Sequence, residues 1–120
     1  MNNYLGQHLI IDLYTCDEGK INDLSYVEET LVQATIEGKM HEIFHQFHKF
    51  QEQGVSGVVV VSESHLSIHT WPEYKYAAID LFACGNQVDL ESSLNYILKR
   101  FGSTNYVIDK LSRGELDKLK

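Results

Sequence analysis

The apolar positions of this chain change their spacing repeatedly, and each change marks a boundary between predicted elements. Residues 8–14, HLIIDLY, put Leu9, Ile11 and Leu13 on one face if extended, which predicts a first strand. Leu24, Val27, Leu31 and Ala34 then recur at helical spacing after Asn22 and Asp23. Ser25 and Glu28 offer a capping box and Gly38 a stop, so a helix is expected from Leu24 to Glu37. Residues 41–50 fit two periods: Met40, Ile43, Phe44 and Phe47 suit a helix, whereas Ile43, His45 and Phe47, with His48 and Phe50 as the opposite set, suit a strand. The strand is preferred because the segments that follow need a pairing partner.

Gln51 to Gly54 reads as a polar turn, and Val55–Val61, 65–71 and 74–82 as three strands. Tight connections at 62–64 and at Pro72 and Glu73 make them an antiparallel meander. Asp89 is placed to cap a second helix whose stripe is Leu90, Leu94, Ile97, Leu98 and Phe101, with Gly102 ending it. Residues 105–109, NYVID, predict a last strand, and the charged tail 110–120 is expected to fray.

No repeat or linker divides the chain, so residues 1–120 are expected to form a single domain. The fold class expected is an α/β (α+β) two-layer sandwich, an antiparallel sheet with two helices on one face. Residues 58–61 are apolar throughout, and Ala77, Ala78, Ile79, Leu81, Phe82 and Ala83 do not alternate cleanly, which predicts strands buried on both sides. Two helices cover only one face, so a sheet-to-sheet homodimer with four αββα layers is expected.

Composition narrows the partners. A content of 43% hydrophobic residues in 120 supports one core, and seventeen acidic against ten basic residues give a net charge of -7. That balance argues against nucleic acid or an anionic membrane surface and suits a cationic small molecule. Two cysteines and no hydrophobic opening segment suggest the reducing cytoplasm. Apolar runs such as 58–61 are short beside the roughly 20 residues of a membrane-spanning helix.

The stretch GVSGVVVVSESHLSIHTWP carries the candidate chemistry. Ser64, between Glu63 and His65, sits at a strand junction where its hydroxyl could meet the preceding carbonyl; taken alone it reads as a turn serine. A hydroxyl attacks only if it is activated and the resulting oxyanion stabilised, and His69 and Ser56 are the nearby candidates. An imidazole exchanges protons near neutral pH, which suits His69 if it meets Ser64; a lone strand histidine is otherwise structural. Cys84, ahead of Gly85, is a better candidate for a functional thiol than Cys16, which reads as a small buried hydrophobe. His41, His45 and His48 would share a face on a helix but not on a strand, and no cysteine or carboxylate set completes a site, so no metal is expected.

With these residues in view, GVSGVVVVSESHLSIHTWPEYKYAAIDLFACG, the HKF of His48 to Phe50, the opening GQHLIIDLYTCD and the late RGELD together resemble the short bacterial and archaeal S-adenosylmethionine decarboxylase family. The resemblance implies a pyruvoyl-dependent carboxy-lyase that is made as a proenzyme. Ser64 would attack the Glu63 carbonyl, the peptide bond would become an ester, and elimination would leave a β chain 1–63 and an α chain 64–120 that begins with the pyruvoyl group. It further implies His69 as the processing base, Ser56 as its assistant, and Cys84 as the proton donor of turnover. The pyruvoyl ketone would form a Schiff base with S-adenosylmethionine and accept electrons as carbon dioxide leaves, supplying the aminopropyl donor of spermidine synthesis.

Phe50 matches an aromatic set against the adenine ring, and reads equally as a core residue. Glu73 is a turn carboxylate or part of the substrate rim. Gln7 and Asp12 stand where the family commonly has a basic residue and a glutamate, so the same scaffold leaves open ornithine or arginine as substrate. A non-catalytic regulatory partner is a further alternative, against which the presence of Ser56, Ser64, His69 and Cys84 counts.

Overall fold

The structure, a computed structural model, describes residues 3–119. In chain order the described residues form β1 (Tyr4–Tyr14), α1 (Glu18–Ile21), α2 (Leu24–Glu37), β2 (Glu42–Lys49), β3 (Val55–Val61), β4 (Ser64–Trp71), β5 (Tyr76–Cys84), α3 (Leu90–Phe101) and β6 (Asn105–Glu115). The strands make one six-stranded antiparallel sheet in the order β2-β3-β4-β5-β1-β6. The meander from β2 to β5 is as expected, and residues 42–49 form the strand rather than the helix. β1 inserts between β5 and β6, setting Ile11 beside both Ile79 and Ile108.

Each inner strand buries alternate side chains: Leu9, Ile11 and Leu13 on β1, Val59 and Val61 on β3, Leu66 and Ile68 on β4, and Ala77, Ile79 and Leu81 on β5. The helices lie on that face, where Val27, Leu31, Leu94, Ile97 and Phe101 complete the core. The Ser93 hydroxyl donates to the Ala34 carbonyl at 2.6 Å, and the Tyr26 hydroxyl to that of Arg100 at 2.7 Å, fastening α2 to α3. No helix among the described residues is long and apolar enough to cross a membrane.

Several boundaries differ from expectation for identifiable reasons. α2 is capped by Asp23, which accepts from the Tyr26 N–H at 3.2 Å, so Ser25 is already inside the helix and makes no capping box. α1, a single turn capped by Asp17, is too short to show a period. β1 starts at Tyr4, and β6 runs to Glu115, opposite it. The tail therefore does not fray at residue 110: β6 is an edge strand held by backbone bonds, and its charged side chains need no core. Pro72–Tyr74 form a 3₁₀ turn, which delays β5 to Tyr76 and extends it to Cys84. Asp89 caps α3 as expected; the Ser92 hydroxyl and N–H hold its carboxyl below the usual carboxylate range.

Within the single chain the helices leave the second sheet face uncovered. Val58, Val60, Ala78 and Phe82 are half-buried, and Ile10, Phe44, Val107 and Leu111 are exposed on it. Within the core, Phe47 packs on Gly57, where an added Cβ would lie 2.0 Å from a ring carbon. Gly57→Ala is expected to cost about 1–3 kcal/mol by overpacking and to lower the thermal midpoint followed by circular dichroism by at least about 4 °C. An unchanged midpoint would mean that the Phe47 ring is free to swing aside.

Candidate active site

Two groups of residues stand at opposite ends of β4. At its start, the turn after β3 brings Val61 opposite Ser64, and Ser64 opposite Ala83 of β5. This register carries the Glu63 carbonyl to the end of β5, where it accepts from the Cys84 N–H at 3.0 Å and from the Cys84 Sγ–H at 3.1 Å. Two donors on one carbonyl oxygen draw electrons from its carbon and would hold the oxyanion formed when that carbon is attacked. Ser64 has φ +155°, a conformation that L-residues rarely adopt, so backbone strain lies on the residue that follows this carbonyl. Ser64 begins β4 rather than closing the turn before it.

The Glu63 carboxylate accepts from the His41 N–H at 3.0 Å and from His41 Nδ1 at 2.8 Å. Burial works to raise this carboxyl, but the His41 hydrogen bonds outweigh it and leave the group below its usual range. The cysteines separate as the sequence predicts: Cys84 is exposed, whereas Cys16 is buried and burial pushes its thiol up to about 11.

Further along β4, His69 pairs with Ser56 of β3 and Ala78 of β5. Its ring lies 5.4 Å from that of Phe50 and 4.1 Å from that of Trp71. The strand is pinned here by buried Thr70, which donates to the Ile21 carbonyl at 2.8 Å and accepts from the Val55 N–H at 2.9 Å. Gly54, at φ +104° with its N–H on Asn22 Oδ1 at 2.8 Å, turns the chain so that its carbonyl accepts from Phe50 N–H. His48, Phe50, Ser56, His69 and Asp80 line a cleft of about 610 Å³ on the helix-free face. That is within the roughly 300–1,000 Å³ of small-molecule sites.

Phe50 is therefore a cleft residue, 37% exposed, and not part of the core. Trp71 stacks on Tyr76, and the Tyr76 hydroxyl donates to Asp12 at 2.5 Å. Burial and then this carboxylate push the Tyr76 phenol up to about 12. Asp12 is thus engaged by a neighbour at the edge of the aromatic row, while Gln7 lines small clefts beside α3, one of them shared with Cys84. Glu73 borders a smaller cleft with Phe50, His69 and Trp71.

The expected meeting of Ser64 and His69 does not occur within one chain. They lie five residues apart on one extended strand, roughly 16 Å at about 3.3 Å per residue. Ser56 stays with His69, its hydroxyl donating to the Ile68 carbonyl at 3.4 Å, and Cys84 stays with Ser64. The three spaced histidines disperse: His41 holds Glu63, His45 bonds Glu42, and His48 lies in the cleft. Residue spacing did not reveal Asp80, which accepts from His8 Nε2 at 2.9 Å and from Ser67 at 3.4 Å, or the hold of His41 on Glu63. Both join residues distant in sequence, and only the strand order brings them together. A pyruvoyl group, which the resemblance implies, would fit this setting, because Ser64, from which it would form, follows a carbonyl held by two donors.

The model of the S-adenosylmethionine decarboxylase family matches residues 7–114. The chain is 48% identical over 114 residues to an S-adenosylmethionine decarboxylase proenzyme of Carboxydothermus hydrogenoformans, covering 93% of this chain and 88% of the relative. It is 44% identical over 114 residues to one of Clostridium tetani, covering 95% and 90%. Among solved structures, the adenosylmethionine decarboxylase of Aquifex aeolicus superposes with a TM-score of 0.88 at 32% identity, covering 94% of this chain and 93% of that one.

Proposed function

Because this chain belongs to the S-adenosylmethionine decarboxylase family, we propose that it is a proenzyme that cuts itself between Glu63 and Ser64 and then decarboxylates S-adenosylmethionine. The observation that carries the reading is the pair of Cys84 donors on the Glu63 carbonyl, beside a strained Ser64. Ser64 Oγ adds to the Glu63 carbonyl carbon while the Cys84 N–H and thiol hold the oxygen. The C–N bond breaks, the amine takes a proton, and an ester joins the two segments. A base removes the Ser64 α-proton, the Glu63 carboxylate leaves, and the dehydroalanine that remains takes up water and releases ammonia.

The pyruvoyl group formed at position 64 supplies an electron sink for the departing carbon dioxide. Cys84, exposed at the end of β5, is placed to return the proton that turnover requires. Phe50 and Trp71 offer aromatic faces to an adenine ring and a sulfonium cation, and the net charge of -7 favours a cationic ligand. The relatives' name supports S-adenosylmethionine over ornithine or arginine. A non-catalytic regulatory role is not retained, since the whole reactive set is present. A free, exposed thiol suits the reducing cytoplasm.

His69 serves as the processing base with Ser56 beside it, and both come from a second copy of the chain. Two observations support this: the distance between Ser64 and His69 along β4, and the uncovered sheet face that carries the cleft. A face-to-face pair with its two-fold axis across the strands would bring the start of β4 in each copy, which carries Ser64, to the His69 end of β4 in the other, and would cover the exposed apolar side chains. The mature protein is then a dimer of two-chain units.

Denaturing mass spectrometry tests the reading. Fragments 1–63 and 64–120 are expected, the second beginning with pyruvoyl, and the cleaved protein should release carbon dioxide from S-adenosylmethionine and not from ornithine or arginine. Cys84→Ala keeps its backbone N–H, so cleavage should continue about tenfold more slowly, while turnover by the cleaved protein falls by about 10²- to 10³-fold. Equal loss of both steps would overturn the division of labour assigned to Cys84.

A further inference from the structure

We propose that His41 is a positioning residue for self-cleavage, holding Glu63 so that its carbonyl faces both Cys84 donors; the inference rests on the maturation reading above. His41 precedes β2, well away in sequence from the scissile bond, yet it grips both residues ahead of that bond. Its backbone N–H donates to Glu63 Oε1 at 3.0 Å, its ring Nδ1–H to Glu63 Oε2 at 2.8 Å, and its carbonyl accepts from the Ser62 N–H at 2.8 Å.

The ring has no packing reason to be there. The His41 side chain is 78% exposed, against 19% for Glu63, so the imidazole adds little to the core, and among the described residues its polar contact is this carboxylate. A carboxylate held at both oxygens has little freedom to swing, and the Glu63 backbone is limited with it. Rotation of the peptide after Glu63 would take the carbonyl off the Cys84 N–H and thiol and would also relax the φ of +155° at Ser64. A grip on the Glu63 side chain opposes that relaxation and keeps the attacked carbon polarised. The backbone bonds of His41 survive substitution by alanine or asparagine, so those variants report on the ring alone.

The experiment follows the full chain in cell-free translation, with cleavage timed by denaturing mass spectrometry. His41→Ala should slow cleavage about tenfold, the loss of one charge-assisted hydrogen bond. His41→Asn, whose amide nitrogen takes roughly the place of Nδ1, should restore the rate to within about twofold of the unaltered chain. Paired with Ser64→Ala to keep the chain whole, His41→Ala should leave the thermal midpoint within about 2 °C, as for a surface change. Cleavage of His41→Ala at the unaltered rate, failure of Asn to improve on Ala, or a larger fall in midpoint would each overturn the role. An unaltered chain that never cleaves would instead overturn the maturation reading and this inference with it.

Discussion

Ser64→Ala is expected to leave the chain whole, at 120 residues, under conditions in which the unaltered protein separates after Glu63. The substitution removes the hydroxyl of the residue that follows the Glu63 carbonyl, the nucleophile of the proposed cleavage, and it disturbs little else. Alanine keeps the backbone, leaves the pairing with Val61 and Ala83 intact, and does not touch the Cys84 donors. A polarised carbonyl without its nucleophile faces only water, so cleavage should fall by at least about 10³-fold. Decarboxylation should vanish with it, because position 64 is the source of the electron sink. A cleaved Ser64→Ala chain would mean that another group attacks this bond, and the assignment of Ser64 would fall.

The second expectation concerns where the base comes from. His69→Ala alone should lose cleavage by about 10²- to 10⁴-fold, the usual worth of a general base. Co-expressed with Ser64→Ala, however, the His69→Ala chain should be cut again. In the mixed pair its Ser64 faces the intact His69 of the other copy, while the second site lacks both groups. Up to half of the sites in mixed pairs would recover, and the cut would fall only in the chain that keeps Ser64. The two variants are distinguishable by mass, so denaturing mass spectrometry assigns the cut chain directly. Mixed pairs that form but stay uncut would show that His69 acts on its own chain, and β4 would have to bend to bring it there. Separation along one extended strand makes that outcome costly.

Much of the fold was legible because alternation and helical spacing are local. The valines of β3, the stripe of α3 and its cap Asp89 announce themselves in short windows. β6 announced itself only over 105–109; its run on to Glu115 was not legible, since an edge strand held by backbone bonds has no need of apolar alternation, and most of its side chains face solvent. The apolar runs of β3 and β5 were harder to read. Half of each run is buried against the helices, and the other half, including Val58, Val60 and Phe82, is only half-buried until something covers it.

The reactive residues themselves were readable as types: a serine, a histidine, a second serine and a thiol in a short span, in a pattern that resembles a known self-cleaving family. Residue types and order suffice for that, because covalent chemistry depends on which functional groups exist. Their grouping is a matter of three dimensions. Antiparallel pairing sends Cys84 back to Glu63, and an extended β4 carries His69 away from Ser64. Strand order gathers Phe50, Ser56 and Asp80 into one cleft, and the hold of His41 on Glu63 spans 22 residues. No window of sequence contains these distances, because they arise from register and twist across strands that meet only in the folded sheet.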